Sequence, residues 1–162
     1  MANHEVHEVE VAPRATAVVR ATLSVPEIGG WFGPALDRVA AYLEERGIAI
    51  IGQPFAFYHP TEDGEDRFEV EAGFPVGGRI EPRGDVEAST LPGGPQATTV
   101  HVGPYDGLPA AYEALATWMA AEGGTPAGDV WEVYESDPEE EPDPATWRTR
   151  VFWPYTPPAP SI

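Results

Sequence analysis

The sequence contains no cysteine, few basic residues and no long apolar run. Without cysteine the chain has no disulfide framework and no thiolate for catalysis or metal binding. With 9 Lys and Arg against 27 Asp and Glu, its net charge is -18. This charge repels phosphate backbones and anionic membrane surfaces, and no segment has the apolar length to span a bilayer. We therefore expect no nucleic-acid partner and no membrane association.

The N-terminal residues indicate the compartment, and the length indicates the number of domains. Residues 1–8 lack the basic and apolar regions of a secretory signal peptide, so we expect a cytoplasmic protein. A chain of 162 residues is long enough to bury a core but short for two independent ones. We therefore expect one domain over residues 1–162.

The segment that begins at Trp131 places an acid between aromatic residues in a strand pattern. Alternate side chains of a strand point to opposite faces, so Trp131 and Val133 share one face while Glu132 and Tyr134 share the other. One face then contributes to a core, and the other presents a carboxylate beside a phenol. The alternative is that Glu132 points to solvent from a strand with one exposed face.

The predicted elements follow the same order twice: strand, helix, strand, strand. The first half covers about residues 5–80 and the second about residues 86–156, joined by a connector at 77–85. Because Pro26, Gly29 and Gly30 are typical turn residues, the first helix is predicted to begin only at residue 31. The predicted elements are 16–22, 31–46, 53–60 and 67–76 in the first half, and 97–102, 108–122, a strand from 131 and 147–155 in the second.

The two halves also align residue against residue. The segment Phe55–Tyr58 lies over Trp131–Tyr134, so Ala56 occupies the place of Glu132. We expect an α+β fold whose two halves are related by a pseudo-twofold axis, each with a small antiparallel sheet and one main helix. Neither half can bury both faces of its sheet alone, so the two sheets should pack around a central channel. Tyr58 and Tyr134 would face each other across it.

Three segments make the chain resemble a known family. They are Phe68–Val76, His101–Leu108 (HVGPYDGL) and Glu132–Pro138. Over roughly residues 5–156 the chain resembles the GyrI-like small-molecule-binding domain, which is also the effector-binding domain of BmrR-type multidrug regulators. The resemblance implies a duplicated fold with an aromatic channel, and a buried glutamate that meets lipophilic cations in the multidrug sensors. Glu132 matches that glutamate.

The chemistry of a buried acid among rings agrees with this implication. Burial raises the pKa of a carboxyl group, which then gains from a cation, and each ring face adds about 0.5–2 kcal/mol. About half of the rings could instead be core packing alone, and Glu71 could belong to a half-solvated strand. The expected ligand-binding residues are Glu132, Tyr134, Tyr58, Trp131, Trp147, Phe152, Trp153, Tyr105 and Glu71.

The resemblance leaves three functions open. We expect a stand-alone binding protein for lipophilic, cationic or aromatic compounds, because the sequence leaves no room for a helix-turn-helix before Val11 or after Pro154. The resemblance to stand-alone relatives also implies, as an alternative, hydrolysis of cyclopropanoid DNA-alkylating compounds, with Glu132 and Tyr134 as catalytic residues and Tyr58 as the symmetric substitute. A third reading is a gyrase-inhibitor-type interaction protein whose acidic surface meets a basic protein partner.

No cofactor or metal motif is present in the sequence. The four histidines do not pair at i, i+4 spacing, and the acidic runs 62–66 and 137–143 lack the pattern of a calcium loop. No glycine-rich phosphate loop occurs. We therefore expect neither a metal nor a cofactor.

Overall fold

A computed structural model describes residues 4–61, 64–136 and 142–158. The acidic residues 62–63 and 137–141, which the sequence assigns to turns, lie outside this description. The chain divides into two compact units: the first unit is Pro13–Pro92, and the second unit consists of the residues before Pro13 and those from Gly93 onwards. In the described part, no helix combines the length and apolar character needed to cross a membrane.

The described residues form nine strands and two α-helices. The first unit holds helix α1 and the strands β2 to β5, and the second unit holds α2 and the remaining strands. In chain order they are β1 (His7–Val11), β2 (Arg14–Ser24), α1 (Val25–Arg46), β3 (Phe55–Thr61), β4 (Gly64–Pro75), β5 (Glu87–Leu91), β6 (Gly94–Val102), α2 (Leu108–Glu122), β7 (Thr125–Pro126), β8 (Trp131–Tyr134) and β9 (Arg148–Thr156).

The first unit is an antiparallel sheet in the order β5-β2-β4-β3, with α1 on one face. The apolar stripe of α1, which includes Val39 and Leu43, packs against Val19 of β2 and Ala72 of β4. These side chains are almost completely buried. Their burial stabilises the unit by about 25 cal/mol for each Å² of apolar surface removed from water.

Helix α1 begins six residues before the predicted start at Trp31. Ser24 and Glu27 form a capping box, in which the Ser24 backbone N–H donates to Glu27 Oε1 at 2.8 Å. Pro26 lies in the first turn, where its missing N–H is not needed. The prediction of a turn around Pro26 was wrong because Pro26 lies in the first turn of a capped helix, where proline is tolerated.

The second unit is an antiparallel sheet in the order β1-β6-β9-β8, and β7 pairs with β9. Helix α2 has the bounds that the sequence predicts and ends at Gly123, whose φ of 78° is the left-handed conformation of a helix C-cap. Its buried side chains, which include Leu115 and Met119, pack against Ala97 and Val151 of the sheet.

Both units show the same order of strand pairing around their helix. In the first unit, β2 before the helix pairs with β4, which in turn pairs with β3. In the second unit, β6 before the helix pairs with β9, which in turn pairs with β8. Phe55 of β3 lies opposite Gly73 of β4, and Trp131 of β8 lies opposite Phe152 of β9. The α+β class and the antiparallel pairing are confirmed, while duplication of the halves stays a prediction. Strand β1 lies within the range that the sequence assigns to the first half, but it pairs with β6 in the second unit.

Candidate functional site

Glu132 lies on the face of the second unit's sheet that α2 covers. Its register partner on β9 is Val151, which belongs to the core cluster under α2. Only 4% of Glu132 is exposed. Trp131 points to the opposite face, where its ring stacks on Phe152 with centroids 5.1 Å apart and planes 15° apart. The predicted alternation along this strand therefore holds, with Glu132 directed toward the helix rather than to solvent.

Two tyrosine hydroxyls bind the Glu132 carboxylate. Tyr134 Oη donates to Oε1 at 2.7 Å, and Tyr112 Oη donates to Oε2. A buried carboxylate is costly unless its oxygens accept hydrogen bonds, and these two phenols supply one donor to each oxygen. Phenols are neutral donors, so these hydrogen bonds bring no positive charge to the acid.

Tyr112 was missed as a site residue by the sequence prediction. It lies on the apolar stripe of α2, where helical spacing alone indicates core packing, and it is half-buried there. A signal was present nonetheless, because a tyrosine on a buried stripe must find a partner for its hydroxyl. The strand that packs under α2 carries an acid, and the hydroxyl of Tyr112 reaches that acid.

Three rings form an aromatic layer beside the acid: Tyr105, Tyr134 and Trp147. The Tyr105 ring lies 4.9 Å from the Trp147 ring and 5.8 Å from the Tyr134 ring, measured between centroids. Tyr105 is the outermost of the three, with 37% of its surface exposed. Because Tyr134 also binds Glu132, the layer connects the exposed Tyr105 to the buried carboxylate.

The loop that carries Tyr105 is anchored by His101. The Gly103 N–H donates to the Trp147 carbonyl at 2.8 Å, and His101 Nε2 donates to the Pro104 carbonyl at 2.8 Å. Gly107 lies so close to the imidazole that a Cβ there would come within 2.7 Å of it. The HVGPYDG motif therefore positions Tyr105 over the site. Glycine is required at position 107 because the His101 ring leaves no room for a Cβ there.

His4 contacts His101 from the N-terminal segment. The two imidazoles are stacked, and His4 Nε2 lies 3.0 Å from His101 Nδ1. Since Nε2 of His101 donates to a carbonyl, its Nδ1 is the acceptor and His4 is the donor. Burial, followed by the electrostatic interaction with His101, lowers the pKa of His4.

The other aromatic residues that the sequence predicts as ligand-binding lie outside the aromatic layer. Trp153 lies on the α2 side, where its ring makes an edge contact with Tyr112 at 6.3 Å. Trp131 and Phe152 lie on the other face of the sheet. Tyr58 belongs to the first unit, where its ring contacts Phe68 at 6.1 Å. The second unit thus brings Glu132, Tyr134, Tyr105 and Trp147 together, with Trp153 one ring further away.

Glu71 lies in the first unit within a polar cluster of its own. It is 4% exposed. Its Oε2 lies 2.5 Å from His59 Nε2, and Ser89 Oγ donates to its Oε1 at 2.5 Å. The Arg20 guanidinium lies 3.7 Å from Glu71 Oε1. Burial alone would raise the pKa of Glu71, but the hydrogen bonds from His59 and Ser89 and the charges of Arg20 and His59 outweigh it, so this pKa is lowered.

A few buried polar atoms of the described chain have no hydrogen-bond partner. They are Thr16 Oγ1, both amide atoms of Gln96, and Thr149 Oγ1. Thr149 is the register partner of Tyr134. Within the described ranges, no group of three or more His, Asp or Glu side chains is arranged to hold a metal ion.

Comparisons with known proteins agree with this architecture. The chain is similar in structure to the C-terminal domain of EcmrR, with a TM-score of 0.83 and 21% identity over 95% of this chain and 98% of that one. It is similar to SAV2435 bound to tetraphenylphosphonium, with a TM-score of 0.65 and 8% identity over 96% and 94% of the two chains. It is also similar to a hydrolase from Listeria innocua, with a TM-score of 0.65 and 13% identity over 94% of this chain and 92% of that one.

Sequence comparison gives the family. No curated protein sequence matches the chain. A family model described as the GyrI-like small molecule binding domain matches residues 4–156, which is nearly the whole chain and includes every residue of the site described above. The chain therefore belongs to the family of GyrI-like small-molecule-binding domains.

Proposed function

We propose that the chain binds lipophilic compounds with a cationic or positively polarised aromatic group, and that Glu132 is their charge partner. The observation that carries this proposal is a buried carboxylate that is held by two neutral phenols and lies beside an aromatic layer. A ligand cation adds the positive charge that the phenols do not bring. The rings of Tyr105 and Trp147 add cation–π contacts and apolar surface.

The electrostatics of the chain favour such a ligand. A charge interaction is stronger where water is excluded, and Glu132 is 4% exposed. The net charge of -18 also raises the local concentration of cations around the protein. The ligand reaches Glu132 when the exposed ring of Tyr105 moves away from Tyr134, so Tyr105 acts as the outer wall of the site.

The comparisons support a small molecule as the partner. The matching family is described as small-molecule binding, and one structural relative, SAV2435, is bound to tetraphenylphosphonium, a lipophilic cation. Tetraphenylphosphonium has no hydrogen-bonding group, so charge and ring contacts alone must hold it. These are the two properties that Glu132 and the aromatic layer offer.

Calorimetric titration of tetraphenylphosphonium into the wild type and into Glu132→Gln tests the proposal. Glu132→Gln should weaken binding at least about tenfold, because it removes a desolvated charge. Glu44→Gln is the matched control, since Glu44 is exposed on α1 and its replacement changes the net charge equally. Equal affinities of the two variants would show that bulk charge, rather than Glu132, attracts the cation.

A second candidate function is hydrolysis of cyclopropanoid alkylating compounds at the same site. The observation that favours it is the contact of two phenols with one carboxylate, because a base and an acid for the same reaction then lie within hydrogen-bond reach. Some structural relatives are described as hydrolases. Glu132 would activate water, and Tyr134 or Tyr112 would give a proton to the opened ring.

Product analysis separates the two functions. The protein is incubated with a cyclopropanoid compound, and the ring-opened product that has gained one water is measured by mass spectrometry. An enzyme forms many product molecules per protein molecule. Turnover should then be lost in Glu132→Gln and in Tyr134→Phe or Tyr112→Phe, while the tyrosine variants still bind substrate. Stoichiometric binding without product would leave a binding protein.

A further inference from the structure

We infer that Thr149 forms a hydrogen-bonding subsite beside Glu132, so that the preferred ligands are lipophilic cations that also carry a hydroxyl or carbonyl oxygen. This inference rests on the proposed function. Thr149 lies on β9, none of its surface is exposed, and its Oγ1 has no hydrogen-bond partner in the described part of the chain. Unpartnered buried hydroxyls are uncommon, because the lost bonds to water are not replaced.

The strand register places this hydroxyl in the site. Thr149 pairs with Tyr134 on β8 and with His101 on β6, so the three residues form one row across the sheet. Paired residues share a face, and this face is the one that carries Glu132. Thr149 and Glu132 are diagonal neighbours, at a separation of about 7–8 Å between residue positions.

The residues around this row are those that contact the acid or cover it. Tyr134 donates to Glu132 and packs under Tyr105, whose loop is anchored by His101. A ligand that displaces the Tyr105 ring to reach Glu132 therefore enters next to Thr149. There the hydroxyl can donate to a carbonyl or hydroxyl oxygen, or accept from a hydroxyl of the ligand.

The other buried polar groups without a partner do not lie in this row. Thr16 belongs to the first unit, where it pairs with Ser89 and Pro75. Gln96 pairs with Pro154, one position out of phase with the residues that face α2, and so points to the other face of the sheet. Thr16 is 1% exposed and its hydroxyl also lacks a partner, which makes it a matched control.

Two phosphonium cations that differ by one group test the subsite. In 3-hydroxypropyltriphenylphosphonium a hydroxyl stands where butyltriphenylphosphonium has a methyl group, and both dissociation constants are measured for each variant of the full chain. The ratio of the butyl constant to the hydroxypropyl constant should fall about five- to tenfold in Thr149→Val, which corresponds to one hydrogen bond. Thr149→Ser should retain the ratio, and Thr16→Val should leave it unchanged.

Thr149→Ala is the second variant without the hydroxyl, and it must lower the ratio as Thr149→Val does. Glu132→Gln should weaken the binding of both cations and leave the ratio of their dissociation constants unchanged. The effects of Glu132 and Thr149 can therefore be distinguished. An unchanged ratio in both Thr149→Val and Thr149→Ala would overturn the subsite while leaving the proposed function intact. If neither cation binds the wild type, the proposed function is wrong and the subsite is overturned with it.

Discussion

Two buried glutamates, one in each unit, have the same exposed fraction and different partners. Glu71 in the first unit and Glu132 in the second are each 4% exposed. Glu71 is surrounded by His59, Ser89 and the guanidinium of Arg20. Glu132 accepts hydrogen bonds from Tyr112 and Tyr134. Equal burial therefore does not imply equal partners, and we propose that Glu71 serves stability while Glu132 serves ligand binding.

The difference follows from what each set of partners supplies. Arg20 brings a positive charge from β2, so Glu71 connects neighbouring strands of its sheet by charge as well as by hydrogen bonds. Tyr112 and Tyr134 bring donors without charge, and the hydrogen bond from Tyr112 connects α2 to Glu132 of β8. Arg20, which also contacts Glu87, already places a positive charge beside Glu71.

The largest expected effect is on the stability of the first unit. Glu71→Ala should lower the free energy of unfolding by about 3 kcal/mol, because it leaves His59 and the Ser89 hydroxyl without their carboxylate and removes one of the two carboxylates that Arg20 contacts. Glu132→Gln should change it by less than about 1 kcal/mol, since the amide can still accept from one phenol and donate to the other. Urea unfolding followed by circular dichroism measures both.

Glu69→Ala provides the control for this comparison. Glu69 is exposed on the same strand, two residues before Glu71, and its replacement should change stability by no more than about 0.5 kcal/mol. If Glu71→Ala and Glu132→Gln destabilise the protein equally, the proposed division of roles between the two acids is wrong.

The next effect is the response of the Glu71 cluster to acid. The folded-state pKa of Glu71 lies below the ordinary value of 4.5, so its contribution to stability is fully present above about pH 4.5. That contribution is lost as the pH falls through the folded pKa, because the unfolded chain binds the proton more readily. Unfolding free energies of the wild type and Glu71→Gln should therefore converge below pH 4.5, and parallel curves would contradict the assignment.

The smallest expected effect concerns His4 in the second unit. Its pKa is lowered below 6.5 by burial and by His101, so its contribution is present above pH 6.5 and is lost as the pH falls through the lower folded value. His4→Gln retains a donor for His101 Nδ1 and removes the titration. Stability measured between pH 7.5 and 5 should decrease more for the wild type than for this variant, and an equal decrease would exclude His4 as the cause.

The sequence determined the elements and the central acid by itself. Periodicity located α2 to the residue, and strand alternation placed Glu132 and Tyr134 on one face, because these patterns depend on local backbone geometry. The alignment of Phe55 with Trp131 across the two halves stays a prediction of duplication. The start of α1 was misjudged because a capping box and two glycines give opposing local signals.

The tertiary structure alone decided which side chains meet. Tyr112 is 20 residues before Glu132 and lies on a helix, so its contact with the carboxylate depends on how α2 packs on the sheet. The separation of Trp131 and Phe152 from Tyr105 and Trp147 depends on the pairing of β8 with β9. The partners of Glu71 come from three other strands. Periodicity specifies the face on which a side chain lies, but the partner of a buried polar group is chosen by the packing of elements that are distant in the chain.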